Sequence, residues 1–250
     1  MHTLEQFGHF TYFALTTLSA ALLAWRRPAE LLRQLYLCLY GSLPLGFVAG
    51  LALGFVVWIH LHGAVDPLMR GKVPEFIAIG VVLEFAPLGA GLILAGRSGA
   101  SLGAELGSMR ISEQIDALES LGISPLKQLV APRVLAAMLA LPLLTILMAY
   151  IAICSSYCAE YLGGVMSLTE YQNAVWRGLA GDRMLIKIIL STLKTVVFGY
   201  LVATTGCYFG MKATGGTEGI GVAATRGVVV SILLVLIANV FLVKLIEMAS

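Results

Sequence analysis

The chain has 250 residues, of which 59% are hydrophobic and 12% are charged, and its formal net charge is +2. Soluble domains carry roughly 25% charged residues, and a chain of this length could not bury so much apolar surface in one soluble core. A charge so close to neutrality, with no run of basic residues, gives no reason to expect a nucleic-acid partner. The composition therefore predicts an integral membrane protein.

The first apolar stretch, Phe10–Trp25, has sixteen residues and is interrupted by three threonines and a serine. A transmembrane helix needs about 20 mainly apolar residues to cross a hydrocarbon core about 30 Å thick. Because the stretch is short and Arg26 and Arg27 follow it, we favour a helix lying in the membrane interface, with a spanning helix as the alternative. Residues 1–40 are assigned to this N-terminal interfacial region, within a single membrane domain over 1–250.

Residues 41–250 form the predicted transmembrane core. Five stretches in it are long and apolar enough to span the bilayer, and helices satisfy their own backbone polar groups in lipid. The predicted spans are 41–61, 73–96, 134–163, 184–211 and 227–248. The fold class is therefore an all-α integral membrane protein with an N-terminal interfacial helix, five transmembrane helices and a helix in a cytoplasmic connection.

The orientation follows from Lys and Arg residues near the ends of the spans, because these residues are enriched in cytoplasmic connections. With the N-terminus inside, nine basic residues fall in inner segments and six in outer ones. This bias predicts a cytoplasmic N-terminus, an outer C-terminus, and inner connections at Gly96–Arg133 and Met211–Arg226. The outer connection Tyr161–Arg183 is polar enough to leave the membrane and to hold a short surface helix.

Motifs of soluble enzymes match this sequence only superficially. Gly91–Ser98 resembles a P-loop, but Arg97 stands where a lysine must reach the phosphates, and the motif lies at the end of a span. Gly99–Gly103 has GxSxG spacing without the strand and the histidine base that a nucleophile elbow needs. His60 and His62 lack the further ligands of a metal site. We therefore expect no catalytic residue, no metal and no cofactor bound by this chain.

Small residues recur at four-residue spacing in two places. The first series is Gly46, Gly50 and Gly54, and the second is Gly99, Gly103 and Gly107. In lipid there is little hydrophobic attraction between helices, so close backbone approach through small residues becomes a means of packing. We favour packing within one subunit, and a dimer interface or a lipid-facing groove is the alternative.

Two charged residues lie inside predicted spans. Glu84 sits in the second span, with Pro87 three residues later, and Lys194 sits in the fourth. An ionised group at that depth costs about 3 kcal/mol or more on insertion scales, so it needs a partner, water or a substrate head group. A structural hydrogen bond is one interpretation of each residue. The other is that Glu84, Gly50 and Lys194 border a cavity open to lipid.

The inner segment 108–133 contains a predicted amphipathic helix. Ser112 is the expected N-cap, Glu113 and Asp116 lie in the first turn, and Gly122 ends the helix. Four apolar residues form one stripe, apart from two acids on another face: Ile111, Ile115, Leu118 and Leu121, against Asp116 and Glu119. This helix is either a solvated surface turn or a docking helix for a soluble partner.

The long string from Glu84 to Glu119 resembles the signature of the MlaE/YrbE permease family, and the likeness continues to Arg133. A second block, Gly215–Gly221, is similar to the turn before the last helix of that family. The two blocks cover about a quarter of the chain. The chain departs from the family pattern at Leu83 and Val222, where a basic residue is common.

The resemblance implies a homodimer that binds two copies of a cytoplasmic ABC ATPase, with no enzymatic activity of its own and with ATP held by the partner subunit. It implies a ring of periplasmic MCE-domain proteins as a further partner, a bacterial inner-membrane location, and phospholipid or a related lipid as the substrate. It also implies an ATPase-coupling helix formed by Glu113, Gln114, Ile115, Asp116, Leu118 and Glu119.

The function predicted from the residues and the resemblance is the permease subunit of an ABC-type lipid transporter. A secondary transporter or a channel is the alternative. It would need ionisable residues and broken helices at corresponding positions in two halves, and the sequence shows no such repeat.

Overall fold

The structure, a computed structural model, describes residues 2–164, 166–181 and 183–249, and these residues form helices and short connections without a strand. The α-helices are α1 (His2–Leu23), α2 (Pro28–Ala64), α3 (Val73–Gly80), α4 (Ala86–Leu94), α5 (Ala100–Ile111), α6 (Gln114–Ser120), α7 (Ala131–Leu162), α8 (Leu168–Leu179), α9 (Met184–Met211) and α10 (Gly216–Ala249). Three π-helical segments join consecutive helices: Val81–Phe85, Ala95–Gly99 and Leu126–Val130.

Five helical segments of the described chain are long and apolar enough to cross a membrane: Pro28–Ala64, Met69–Ile111, Leu126–Leu162, Met184–Met211 and Gly216–Met248. Each contains one of the five predicted spans, apart from residue 163 at the end of the third, so the all-α membrane fold is confirmed. The segments have 28 to 43 residues. At 1.5 Å per residue even the shortest is about 42 Å long, which exceeds the hydrocarbon thickness of about 30 Å.

The N-terminal boundary differs from the prediction. Helix α1 ends at Leu23, a 3₁₀ turn covers Ala24–Arg26, and α2 then runs unbroken from Pro28 to Ala64. Residues 28–40 therefore continue into the first long helix without a break, and their assignment to an N-terminal interfacial region stays a prediction. Proline suits the first position of a helix, since its N–H would be unpaired there in any case. Helix α1 is not among the five membrane-crossing segments, and its interfacial placement stays a prediction.

The chain divides into two compact units, each assembled from separate stretches. The first unit comprises Met1–Ser42, Gly91–Leu141 and Val196–Ala238. The second comprises Leu43–Ala90, Pro142–Thr195 and Asn239–Ser250. The prediction of one membrane domain over 1–250 stays a prediction.

In the first unit, glycines bring three helical segments into close contact. A methyl group on Gly103 of α5 would lie 3.0 Å from the Ala223 carbonyl oxygen of α10. A methyl group on Gly227 of α10 would lie 2.9 Å from the Gly99 carbonyl oxygen, and one on Gly206 of α9 would lie 3.1 Å from that same oxygen. Larger residues at these positions would push the helices apart, as expected where membrane helices pack through small residues.

In the second unit, the other glycine series packs α2 against α7. A methyl group on Gly50 would lie 3.1 Å from both the Met148 carbonyl oxygen and the Ile151 Cβ atom. A methyl group on Gly54 would overlap the hydroxyl of Ser155. Of the alternatives that the sequence left open, packing within the chain is therefore the one seen for this series.

Helix α8 is the short helix predicted between the third and fourth spans. Its N-terminus is a capping box, in which the backbone N–H of Ser167 donates to the Glu170 carboxylate at 3.0 Å and the Glu170 N–H donates to the Ser167 hydroxyl. The backbone N–H of Ser167 and, second, the Ser167 hydroxyl, which donates to the same carboxylate at 2.8 Å, lower the pKa of Glu170. On the buried face, the hydroxyl of Tyr171 lies 2.6 Å from Ser156 Oγ, and burial raises the pKa of Tyr171 to about 12.

Candidate functional site

Glu84 and Lys194, both in the second unit, form an ion pair between two predicted spans. Lys194 Nζ donates to Glu84 Oε2 at 2.9 Å. The lysine side chain is 1% exposed, whereas the glutamate side chain is 42% exposed. Each charge therefore has the compensating partner that a position within an apolar helix requires. The sequence did not settle whether the two residues face each other, and the structure shows that they do.

The backbone around Glu84 is irregular because of Pro87. Proline has no N–H, so the hydrogen bond that residue 87 would donate to the Leu83 carbonyl is missing. The helix takes π geometry here, in which the Ala86 N–H donates to the Val81 carbonyl five residues earlier. Such one-turn π segments are frequent at functional sites.

Ser191 of α9 compensates for the missing hydrogen bond. Its hydroxyl donates to the Leu83 carbonyl at 2.6 Å, as expected where a serine of a neighbouring helix satisfies backbone freed by a proline in lipid. Ser191 lies one turn before Lys194, so α9 contacts the Glu84 segment through two polar side chains. Sequence reasoning missed Ser191, although Pro87 marked the carbonyl that needed a donor.

Gly50, the third residue predicted to border a lipid cavity, has a helix of its own chain as its neighbour. It lies against Met148 and Ile151 of α7. The structure thus brings Glu84 and Lys194 together and gives Gly50 a packing role. That Gly50 also borders lipid stays a prediction.

The predicted coupling helix is present as α6 in the first unit, but its start differs from the prediction. The hydroxyl of Ser112 donates to the Ser108 carbonyl at 2.8 Å, so Ser112 closes α5 and does not cap α6. Glu113 precedes α6 in the left-handed region, with φ of 60°, and so lies outside the first turn. The predicted end is correct, because Gly122 has φ of 72° just after the helix.

The side chains of α6 divide into buried, paired and exposed groups. Ile115 is buried, and Asp116 forms an ion pair with Arg110 of α5. Glu119 is exposed. The predicted apolar stripe is not uniformly covered, since Leu121 is 74% exposed. The exposed acids of the predicted coupling set are therefore Glu113 and Glu119, while Asp116 is engaged within the chain.

A second ion pair, which sequence reasoning missed, supports the connection after α6. Arg133 Nη2 lies 2.6 Å from Glu105 Oε1, and Arg133 Nη1 donates to the Leu129 carbonyl at 2.7 Å. The arginine is buried. The pair ties the start of α7 to α5, so both ends of the α6 connection are fixed. The sequence did contain a sign of this pair, because Glu105 and Arg133 carry opposite charges and lie on either side of the predicted helix.

A buried carboxylate at the end of α7 was also missed. The Trp58 indole N–H donates to Glu160 Oε2, and His62 Nδ1 lies 4.0 Å from that oxygen. The Trp58 and His62 rings stack with centroids 4.9 Å apart. Among the described residues, no group of three or more His, Cys, Asp or Glu side chains could hold a metal ion.

Comparison with known proteins identifies relatives along most of the chain. The sequence model of the family described as Permease MlaE matches residues 31–245. A probable ABC transporter permease protein of Rickettsia typhi is 30% identical over 242 residues, which are 96% of this chain and 92% of the relative. The intermembrane phospholipid transport system permease protein MlaE of Haemophilus influenzae is 28% identical over 208 residues, 82% of this chain and 78% of the relative.

A plant protein is a third relative. The chloroplastic protein TRIGALACTOSYLDIACYLGLYCEROL 1 of Arabidopsis thaliana is 33% identical over 163 residues, 65% of this chain and 45% of the relative. The matched family region begins near the start of α2, ends within α10, and contains the Glu84–Lys194 pair and the α6 connection. On this match, the chain belongs to the MlaE permease family.

Proposed function

We propose that this chain is the membrane subunit of an ABC-type lipid transporter and that a separate cytoplasmic ATPase supplies the energy. The observation that carries the proposal is the family match over 31–245. The name of the Rickettsia typhi relative, a probable ABC transporter permease protein, supports the ATPase partner. On this account the chain binds lipid and transmits movement, and it performs no covalent chemistry itself.

A phospholipid is the proposed substrate. The Haemophilus influenzae relative is named as a permease of intermembrane phospholipid transport. In this chain, the half-exposed carboxylate of Glu84 is held by buried Lys194. An ionised carboxylate accepts several hydrogen bonds, so it keeps acceptor sites for the hydroxyl or ammonium groups of a head group. We propose that Glu84 and Lys194 set the polarity of a lipid cavity that Gly50 also borders.

The ATPase is proposed to dock on the α6 connection. Glu113, Gln114 and Glu119 are exposed there, next to the exposed Leu121. An exposed acidic and apolar surface on a short helix suits a groove in a soluble partner. Arg110 pairs with Asp116 of α6, and Arg133 pairs with Glu105 of α5. These two ion pairs would make the connection stiff enough to transmit a movement of the ATPase.

A homodimer and an outer MCE-domain assembly complete the proposal, with lipid moving between the inner membrane and that assembly. The resemblance to the MlaE/YrbE family supports both partners. Helix α10 also presents a broad exposed apolar face, which includes Leu233, Ile237 and Phe241. In a homodimer, part of that face would meet the second copy and the rest would meet lipid.

The proposal is tested by purifying the chain with a candidate ABC ATPase partner and measuring ATP hydrolysis in nanodiscs with and without added phospholipid. We expect a stable complex whose hydrolysis responds to phospholipid, and a hydrolysis-dead ATPase as the control should give no rate. If the chain binds no ATPase, and if an ion gradient drives its transport of solute, the secondary transporter would be favoured.

A further inference from the structure

A cavity of about 730 Å³ lies in the first unit, bordered by α1, the end of α9 and the first half of α10. Ligand pockets in proteins measure roughly 300–1,000 Å³, so this volume is large enough for a ligand. Neither Glu84 nor Lys194 lines it, and no residue of α6 does. The cavity is thus separate in its residues from both sites already described.

The lining changes from charged to apolar along α10. Val222, Arg226, Val230 and Leu234 line the cavity at four-residue spacing, so they share one helix face over about 18 Å at 1.5 Å per residue. Arg226 is exposed, whereas Val230 and Leu234 are half-buried. One end of the cavity is therefore polar and open, and the other end is apolar and partly covered.

Three charged residues gather at the polar end. Lys212 and Arg226 are basic, Glu218 is acidic, and all three are exposed lining residues. Two basic groups against one acidic group leave a net charge of +1 at this end, which favours a negatively charged ligand group.

An aromatic wall holds Lys212 in position. Its Nζ donates to the Tyr208 hydroxyl at 2.8 Å and lies 4.5 Å from the centre of the Tyr208 ring. Tyr208 meets Phe10 of α1 edge-on, with ring centroids 5.1 Å apart. Phe209 completes the wall on the cavity side. Lys212 keeps two further donors for a ligand, because an ammonium group has three N–H donors.

We propose that this cavity binds a membrane phospholipid, with its phosphate held by Lys212 and Arg226 and an acyl chain lying along Val230 and Leu234. A charged end and an apolar end on one helix face match the two parts of such a lipid. A soluble phosphate compound would use only the polar end and leave the apolar lining without a partner. This inference goes beyond the proposed function, because binding at these residues requires neither transport nor an ATPase.

The direct test is photocrosslinking in phosphatidylcholine nanodiscs that contain the full chain and a trace of phosphatidic acid with a photoreactive acyl chain. Peptide mass spectrometry then maps the adducts. We expect them to concentrate on cavity residues such as Phe209, Val230 and Leu234. Adducts spread evenly over the exposed apolar residues of α10, such as Leu233 and Phe241, would indicate surrounding bilayer lipid only and would overturn the proposal.

Two matched arginine variants distinguish lipid binding in the cavity from a general attraction of the anionic lipid to basic residues. Arg226→Gln should lower the adduct yield about tenfold, since it removes a charge-assisted hydrogen bond to phosphate. Arg26→Gln removes an exposed basic residue that does not line the cavity and should leave the yield unchanged. Equal losses in the two variants would contradict a defined phosphate contact.

Two further outcomes identify other occupants. Glycerol phosphate, which has the same polar group without acyl chains, should not compete with the photoreactive lipid. Competition would show that the cavity recognises soluble phosphate and not a lipid. Crosslinks to a second copy of the chain or to an added ATPase in place of lipid would show that a protein covers this surface. The wild-type adduct map decides the question even if the Arg226 variant fails to fold.

Discussion

The Glu84–Lys194 pair is uneven, because one partner is almost fully buried and the other is half exposed. Removing the exposed carboxylate would leave a buried ammonium group without a counter-charge, which costs more than the pair itself contributes. Replacing one partner of such a pair should therefore destabilise the protein more than expected from the pair's own contribution, and replacing both with apolar residues should cost less than the sum of the single losses. Single and double substitutions of the pair can measure this asymmetry.

We predict that Glu84→Leu, which leaves a buried ammonium group, lowers the free energy of unfolding by about 3 kcal/mol. Lys194→Met leaves a half-exposed carboxylate and should cost less, and the double variant should lose less than the sum of the two. The measurement is a double-mutant cycle from denaturant unfolding in detergent. The control is the pair Lys244 and Glu247, whose side chains are 73% and 63% exposed. That pair should show almost no coupling. Equal coupling energies in the two cycles would contradict the prediction that burial of Lys194 makes the Glu84–Lys194 pair the stronger one.

Glu170 should make the stability of the α8 N-terminus depend on pH. Hydrogen bonds from Ser167 lower its pKa in the folded state. A lowered folded pKa means that the contribution to stability is present above the unfolded pKa and is lost as the pH falls through the folded pKa. We predict that hydrogen-exchange protection of the first turn of α8 falls at acidic pH, below about 4.3, the ordinary pKa of Glu. Glu170→Gln keeps the cap and should show no such pH dependence.

The segment from Val81 to Pro87 shows how one element depends on its neighbour. The proline removes a helical hydrogen bond, and the Ser191 hydroxyl of α9 satisfies the freed Leu83 carbonyl. Charge pairing at Glu84 and hydrogen bonding at Leu83 thus join the same two helices. We infer that α9 and the Glu84 segment move together when the protein changes shape.

We predict that Ser191→Ala destabilises the protein by about 1 kcal/mol, the lower end of the cost of a carbonyl left without a donor, because the Leu83 carbonyl is only partly buried. Adding Pro87→Ala should recover part of that loss, because residue 87 then donates to Leu83 along its own helix. Thr192→Ala is the matched control, since the Thr192 hydroxyl bonds to the Ile188 carbonyl within α9. Thermal unfolding in detergent measures all four proteins. A loss in Thr192→Ala as large as in Ser191→Ala would count against this role of Ser191.

Helix α6 has two acidic residues, and the structure shows which of them is available to contact the proposed ATPase. Asp116 pairs with Arg110 inside the chain, whereas Glu119 is exposed. We predict that Glu119→Lys weakens binding of the ATPase about tenfold with no change in unfolding temperature. Asp116→Asn, which breaks a partly exposed ion pair, should lower the unfolding temperature only slightly. Binding is measured by pull-down or surface plasmon resonance, and unaltered binding of the Glu119 variant would remove α6 from the proposed interface.

For the whole molecule, hydropathy was enough to predict five spans, because the length of each apolar stretch is set by the bilayer. The glycine spacing likewise predicted close helix contacts within the chain. Side-chain hydrogen bonds between distant elements were beyond this reasoning, as Ser191, Arg133 and Glu160 show. The prediction that Ser112 caps the start of α6 was wrong, because a serine hydroxyl can bond to the last carbonyls of one helix as readily as to the first N–H groups of the next.

We propose that ATP hydrolysis by a partner drives this chain to move phospholipid, with Glu84 and Lys194 in the lipid path. The most direct measurement is ATP-dependent transfer of labelled phospholipid from proteoliposomes that contain the chain and its ATPase to an acceptor. Wild type should transfer lipid only with hydrolysable ATP, and Glu84→Gln, which keeps the side-chain shape, should transfer it several-fold more slowly. Transfer that is independent of ATP, or a fully active complex that moves no lipid, would contradict the account.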